Sequence, residues 1–194
     1  MKDDLLVIFV RNPELGKVKT RLAATLGPEK ALAIYVELLN RTRAITENLP
    51  CTKIVFYADY LNEDDIWENE IYQKKLQQGQ DLGERMQQAF TAGFAASYAR
   101  ICIIGSDCYE LNSEIIQKGF AALTTHDLVV GPATDGGYYL LGMNKLYPGF
   151  FQDINWSTAM VLEQTLAIAR AKNLQFILLP QLSDIDQEKD LISM

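Results

Sequence analysis

Arg100-Ile-Cys-Ile-Ile-Gly-Ser-Asp107-Cys-Tyr-Glu-Leu111 is the stretch that decides the fold. Four apolar residues followed by Gly-Ser-Asp predict a parallel strand buried on both faces, which delivers a carboxylate to its C-terminal end. In open α/β sheets that edge is where ligands bind. The rest of the chain repeats the pattern. Leu5–Val10, Lys53–Ala58, Ile71–Leu76, Asp127–Gly131, Tyr138–Met143 and Leu174–Leu179 read as further strands. Helices are expected from Gly27-Pro28-Glu29 onward, over Glu84–Tyr98, Ser113–Leu123 and Thr158–Lys172, with a short acidic helix over Asn62–Glu68. Alternating strands and helices predict an α/β fold, a mainly parallel central sheet with helices on both faces. No linker, repeat or low-complexity stretch divides residues 1–194, so one domain is expected.

Composition narrows the function. Of the 194 residues 48% are hydrophobic and 22% charged, as in an ordinary soluble globule, and the formal net charge of −7 argues against non-specific nucleic-acid binding. No apolar run approaches the length of a membrane span. The three cysteines, Cys51, Cys102 and Cys108, have neither disulfide nor zinc spacing, which suggests a reduced, cytoplasmic protein. The lone histidine, His126, precedes a strand and offers no histidine-based chemistry.

Five segments could carry chemistry. Arg11-Asn-Pro-Glu-Leu-Gly16-Lys17-Val-Lys19-Thr-Arg21 places four cations in an irregular loop after the first strand. Such a loop can hold phosphates through lysine and arginine charge and backbone amides, although it also reads as a solvated basic loop. It has neither P-loop nor dinucleotide-fingerprint spacing. In Gln78-Gly-Gln-Asp81-Leu-Gly-Glu-Arg85-Met86, a turn precedes a helix. Arg85 in its first turn opposes the helix dipole and hints at an anionic partner. Asp107 offers a hard oxygen ligand to a divalent cation. Asp135-Gly136-Gly137-Tyr138-Tyr139 forms either a hairpin turn or a loop that approaches a ligand closely, where the tyrosines stack on a sugar or base or pack in the core. In Asp184-Ile-Asp186, two carboxylates two apart in extended chain point the same way, toward a metal, a basic residue or solvent.

Together these segments resemble the bacterial glycosyltransferase-like family described as radical-SAM/selenodomain-associated or arsenosugar-biosynthesis glycosyltransferases. That family has the GT-A, nucleotide-diphospho-sugar transferase fold. More distant relatives include 2-phospholactate guanylyltransferase and the molybdenum-cofactor nucleotidyltransferases. The resemblance runs from Leu6 to about Leu191. It is carried by Pro13–Leu22, Gln78–Met86, Gly105–Cys108, Gly131–Gly142, Trp156-Ser-Thr158 and Asp184-Ile-Asp186, in order and in register. It implies that Gly16, Lys17, Lys19 and Arg21, with Asp81 and Arg85, bind nucleotide phosphates. It further implies that Asp107 and Asp135 are catalytic and that Asp107 and Asp186 ligate Mg²⁺ or Mn²⁺. Gly136, Gly137 and Tyr138 would line the acceptor or sugar side. The chain departs from the family's usual pattern at Tyr109, where proline is usual, at Gln187, where threonine is frequent, and at Arg11, where lysine is common.

The implied activity is a metal-dependent glycosyltransferase using a nucleotide-sugar donor and a small-molecule acceptor. The alternative is a nucleotidyltransferase joining a nucleoside triphosphate to a phosphorylated acceptor. The chain lacks the Leu-Ala-Gly-Gly-x-Ser-x-Arg type of loop found in many sugar nucleotidyltransferases, which favours the first. A non-catalytic nucleotide-binding protein is the third reading, and a homo-oligomer is left open.

Overall fold

A buried first strand sets the frame of the computed structural model, which describes residues 2–194. β1 (Lys2–Val10) is followed by a loop, α1 (Thr20–Leu26), α2 (Pro28–Thr46), β2 (Thr52–Tyr57), β3 (Tyr72–Leu76) and α3 (Leu82–Ala95). Then come β4 (Tyr98–Ile104), α4 (Ser113–Ala122), β5 (Leu128–Pro132), β6 (Tyr138–Met143), α5 (Val161–Ala171) and β7 (Phe176–Leu178). The sheet has seven strands in the order β3-β2-β1-β4-β6-β5-β7.

Alternation along β1 splits the core into two layers. Leu6, Ile8 and Val10 face one apolar cluster together with Tyr35 and Ile116, while Leu5 and Val7 face the other with Phe90 and Leu166. Both faces are covered, which is why β1 and β4 read as continuous apolar runs rather than alternating ones. Among the described residues no helix is long and apolar enough to cross a membrane.

β6 runs antiparallel to both β4 and β5. Only residues 133–137 join β5 to β6, too few for the crossover a parallel pair needs, so the link is a hairpin. β5 consequently runs parallel to β4, and β7 parallel to β5. The C-terminal ends of β1, β4, β5 and β7 therefore meet at one edge. Between β1 and β4 the chain reverses its direction of travel across the sheet, and the loops after these strands diverge to open a cleft there.

Three expectations need correcting. Asn62–Glu68 is not helical. The side chain of Lys74, 4% exposed, draws this segment around itself. Its ammonium donates to the carbonyls of Asn62 (3.0 Å) and Glu63 (3.2 Å) and to Asp65 Oδ1 (2.9 Å). Asp65 in turn accepts from Trp67 N and the Tyr57 hydroxyl, so backbone groups that a helix would use are taken by side chains. The helix expected to reach Tyr98 stops at Ala95, because Ser97 turns left-handed with φ 68° and the chain enters β4 at Tyr98. The last helix starts at Val161 rather than Thr158, because Ser157 also takes positive φ, 61°. Residues 156–160 are thereby released as a loop.

Replacing Lys74 by methionine strands Asp65 and two carbonyls around an apolar side chain. We expect a loss of about 3 kcal/mol, read as a lower urea midpoint. Lys75→Met, exposed on the same strand, should change the midpoint little.

Candidate functional site

The basic loop is anchored on both sides of Lys19. Val18 and Leu22 are buried in two different clusters. Between them Lys19 takes a left-handed backbone, φ 47° and ψ 46°, a strained choice for a residue with a Cβ. Its side chain, 5% exposed, lies with Nζ 2.7 Å from Asp107 Oδ1 and 3.1 Å from Asp186 Oδ1. Arg21 Nη1 approaches the other Asp186 oxygen at 3.7 Å. Burial alone would lower the pKa of Lys19, but Asp107 and then Asp186 outweigh it and hold the ammonium above the ordinary lysine value.

Asp107 follows β4 through Gly105 and Ser106. The buried Ser106 hydroxyl lies 3.4 Å from the Tyr35 hydroxyl, which bonds both the N–H and the carbonyl of Arg11. The two loops at the reversal point are thus tied together beneath the cleft. Burial first, and then the Asp107 charge, pushes the Tyr35 phenol up to about 12. It is a neutral hydrogen-bonding post.

The C-terminal segment brings in the remaining acids. Leu182 pairs with the end of β5: its N–H donates to Pro132 O, and its carbonyl accepts from Thr134 N. Ile185 N then donates to Asp107 O at 2.9 Å. Ile185 is fully buried against Leu22, Ala31 and Leu38, so alternation turns Asp184 and Asp186 to the other side, into the cleft. Asp184, which the sequence pairs with Asp186 toward a metal, a basic residue or solvent, is pushed up to about 7. Burial is the largest cause, followed by Asp107 and Asp135, with Lys19 opposing and Asp186 adding to the rise.

Asp135 sits at the tip of the β5–β6 hairpin, its Oδ1 accepting from Gly137 N at 2.9 Å. Gly136 takes φ 90°, and a Cβ there would lie 2.2 Å from Ala159 O, so the tip fits only glycine against the 156–160 loop. Leu162 N donates to Gly136 O and fixes the same contact.

The resulting cleft has a volume of about 810 Å³. It is lined by Lys19, Arg21, Arg85, Asp107, Asp135, Gly137, Tyr138 and Asp186 from the sequence reading. Gly16, Lys17, Asp81 and Gly136 lie outside the lining. Lys17 is turned to Glu14 at 2.6 Å. Asp81 caps α3, accepting from Glu84 N at 2.8 Å. Arg85 folds back on Gly79 O at 3.1 Å, with its guanidinium at the cleft wall. Residues lining the cleft that the sequence left without a role include Leu82, Met86 and Trp156. Their sequence signals are the two motifs in which they stand.

Carboxylate oxygens suit Mg²⁺ or Mn²⁺, and an ammonium between Asp107 and Asp186 marks a position where positive charge is favoured. Among the described residues, however, no three acidic, histidine or cysteine side chains are arranged to hold a metal by themselves. Asp107 and Asp186 would hold such a cation only with further oxygen ligands from a bound molecule or water.

An open α/β sheet carrying a charged cleft at its reversal point places the chain in the nucleotide-diphospho-sugar transferase class of folds. The chain belongs to the family DUF2064, described as an uncharacterized protein conserved in bacteria, which matches residues 41–158. A crystal structure from Desulfovibrio desulfuricans G20, provisionally assigned as a nucleotide-diphospho-sugar transferase, is 34% identical with a TM-score of 0.89, covering 98% of this chain and 85% of that one. The 4-diphosphocytidyl-2C-methyl-D-erythritol synthase of Anaerococcus prevotii DSM 20548 is 10% identical with a TM-score of 0.55, covering 98% of this chain and 93% of that one. Rv0371c of Mycobacterium tuberculosis H37Rv, in complex with manganese, is 12% identical with a TM-score of 0.52, covering 99% and 97%. These last two share the fold. A comparison with curated proteins found no match.

Asp184 makes stability depend on pH. Its folded pKa is raised above the ordinary 3.8, so its contribution to stability is complete in acid and is lost as pH rises through about 7. With chelator present, Asp184→Asn should gain stability relative to the parent protein between about pH 5 and about pH 8, read from thermal unfolding. A constant difference over that range would contradict the assignment.

Proposed function

We propose that this chain is a transferase that binds a nucleotide sugar in the cleft and passes the sugar to a small-molecule acceptor. The observation that carries the reading is the buried Lys19 ammonium held by Asp107 and Asp186, with Arg21 and Arg85 on the same cleft walls. A diphosphate entering between these groups meets three cations. The fold and the 34% identical relative support a nucleotide-linked donor.

In the transfer, the acceptor oxygen bonds to the anomeric carbon as that carbon's bond to the diphosphate oxygen breaks. The electron pair leaves with the diphosphate, and the acceptor proton passes to a carboxylate or to solvent. Lys19 and Arg21 stabilise the charge that develops on the leaving group, Lys19 from a side chain that is itself buried. A divalent cation bound by Asp107 and Asp186 would supply further neutralisation of the diphosphate. Asp135, at the hairpin tip with Gly137 and Tyr138, faces the acceptor side. Gly16 and Lys17 stand at the mouth of the basic loop, and Asp81 serves the site by capping the helix that carries Arg85.

The test is a calorimetric panel of nucleosides, nucleoside diphosphates, triphosphates and nucleotide sugars, with and without Mn²⁺. We expect a nucleotide sugar to bind in a Mn²⁺-dependent way. Lys19→Met and Arg21→Met should each weaken it about tenfold to hundredfold while nucleoside binding changes little. Asp107→Asn should abolish the Mn²⁺ dependence. Binding of triphosphates alone would move the reading to a nucleotidyltransferase, and equal losses for nucleoside and nucleotide would make Lys19 purely structural.

A further inference from the structure

The charged groups occupy only part of the cleft. Leu82 and Met86 come from the first turns of α3, Tyr138 from the start of β6, and Trp156 from the loop before α5. Leu82 is 43% exposed, an apolar side chain left open at the cleft wall. Met86, Tyr138 and Trp156 pack against the same apolar layer. Trp156 is seated against the α3 backbone: a Cβ on Gly83 would lie 2.2 Å from its Nε1.

This wall carries one hydrogen-bond donor with almost nothing to donate to. The Tyr138 hydroxyl has a single partner among the described residues, the thioether sulfur of Met86 at 3.9 Å, which is a weak acceptor. A partly buried hydroxyl of this kind normally finds a stronger partner, and one at a cleft wall with only a thioether beside it is suited to a ligand. The ligand must bring acceptor atoms and an apolar body. A polyol fits poorly, because its many hydroxyls would be desolvated against Leu82, Met86 and the two rings without partners.

We infer that this wall is the acceptor subsite and takes an alcohol borne on a flat, largely apolar frame, an aryl alcohol, with Tyr138 donating to its oxygen and the Trp156 ring packing against its frame. The inference rests on the transferase reading for its role and on the wall itself for its chemistry. In the charged half, the donor's diphosphate faces Lys19 and Arg21. The apolar half then orients the hydroxyl toward Asp135 and the diphosphate-bearing carbon.

The probe is 7-hydroxy-4-methylcoumarin, followed by fluorescence anisotropy, with glycerol as the polyol comparison. Nucleoside diphosphate binding is measured on the same samples. We expect saturable coumarin binding and no competition by glycerol. Trp156→Ala should weaken the coumarin about tenfold, and Tyr138→Phe severalfold, with nucleoside diphosphate affinity kept. Gly83→Ala keeps an ordinary helical backbone while pushing the indole aside, so it should weaken the coumarin even if Trp156→Ala folds poorly. A protein that binds nucleoside diphosphate but not the coumarin overturns the inference, as does coumarin binding that is unchanged from the parent protein in Gly83→Ala and Tyr138→Phe. Coumarin binding lost in these variants, with no nucleotide bound by any form, would keep the aryl-alcohol site and remove the transferase reading.

Discussion

Everything at the ligand edge depends on one buried ammonium. Lys19 stands between Asp107 and Asp186, on loops separated by most of the chain. Removing it would leave Asp107, Asp135, Asp184 and Asp186 facing one another in a partly desolvated space, where like charges repel strongly. The left-handed backbone at Lys19 is the local cost of placing the charge there, and the two ion pairs offset it. Asp184, raised first by burial and then by Asp107 and Asp135, is the acid that Lys19 does not hold in its charged form.

Much of this was legible in the sequence because local signals and global topology agreed. The apolar run before Gly105-Ser106-Asp107 could only be a buried strand, and its direction put Asp107 at the ligand edge. Pro28 at the first turn of α2 and the Gly-Pro break before it fixed that helix start. The hairpin at Asp135-Gly136-Gly137 was one of two readings. Which one applied depended on the number of residues between two strands, which periodicity alone does not settle.

What was not legible depended on partners far apart in sequence. The acidic run Asn62–Glu68 has helical composition, yet Lys74 from the neighbouring strand takes its carbonyls. The resemblance implies nucleotide contacts for Asp81 and Lys17, yet a helix N-terminus and Glu14 engage them first. Asp184 and Asp186 looked equivalent. Burial of Ile185 sends both into the cleft, but only Asp186 reaches Lys19 and Arg21, which leaves Asp184 as the protonatable member. Trp156 stood in a recognised motif without a role, because its meaning lies in its contact with Gly83 on another element.

The charge balance of the cleft ties the metal question to the donor. Four acids, Asp107, Asp135, Asp184 and Asp186, line it against four cations, Arg11, Lys19, Arg21 and Arg85. With Asp184 ionised these cancel, so the protein by itself offers no surplus charge to an incoming anion. On the proposed reading a nucleotide sugar would add roughly two negative charges on its diphosphate, and a divalent cation held by Asp107 and Asp186 would supply the matching charge. Lys19 would then be free to turn from Asp107 toward the phosphates. On this reading the basic loop and the acidic cluster are not two sites but one exchange of partners. The ammonium holds the carboxylates apart before the donor arrives and holds the leaving group afterwards. The apolar wall of Leu82, Met86, Tyr138 and Trp156 contributes no charge to the exchange, and that neutrality is what suits it to a different part of the reaction.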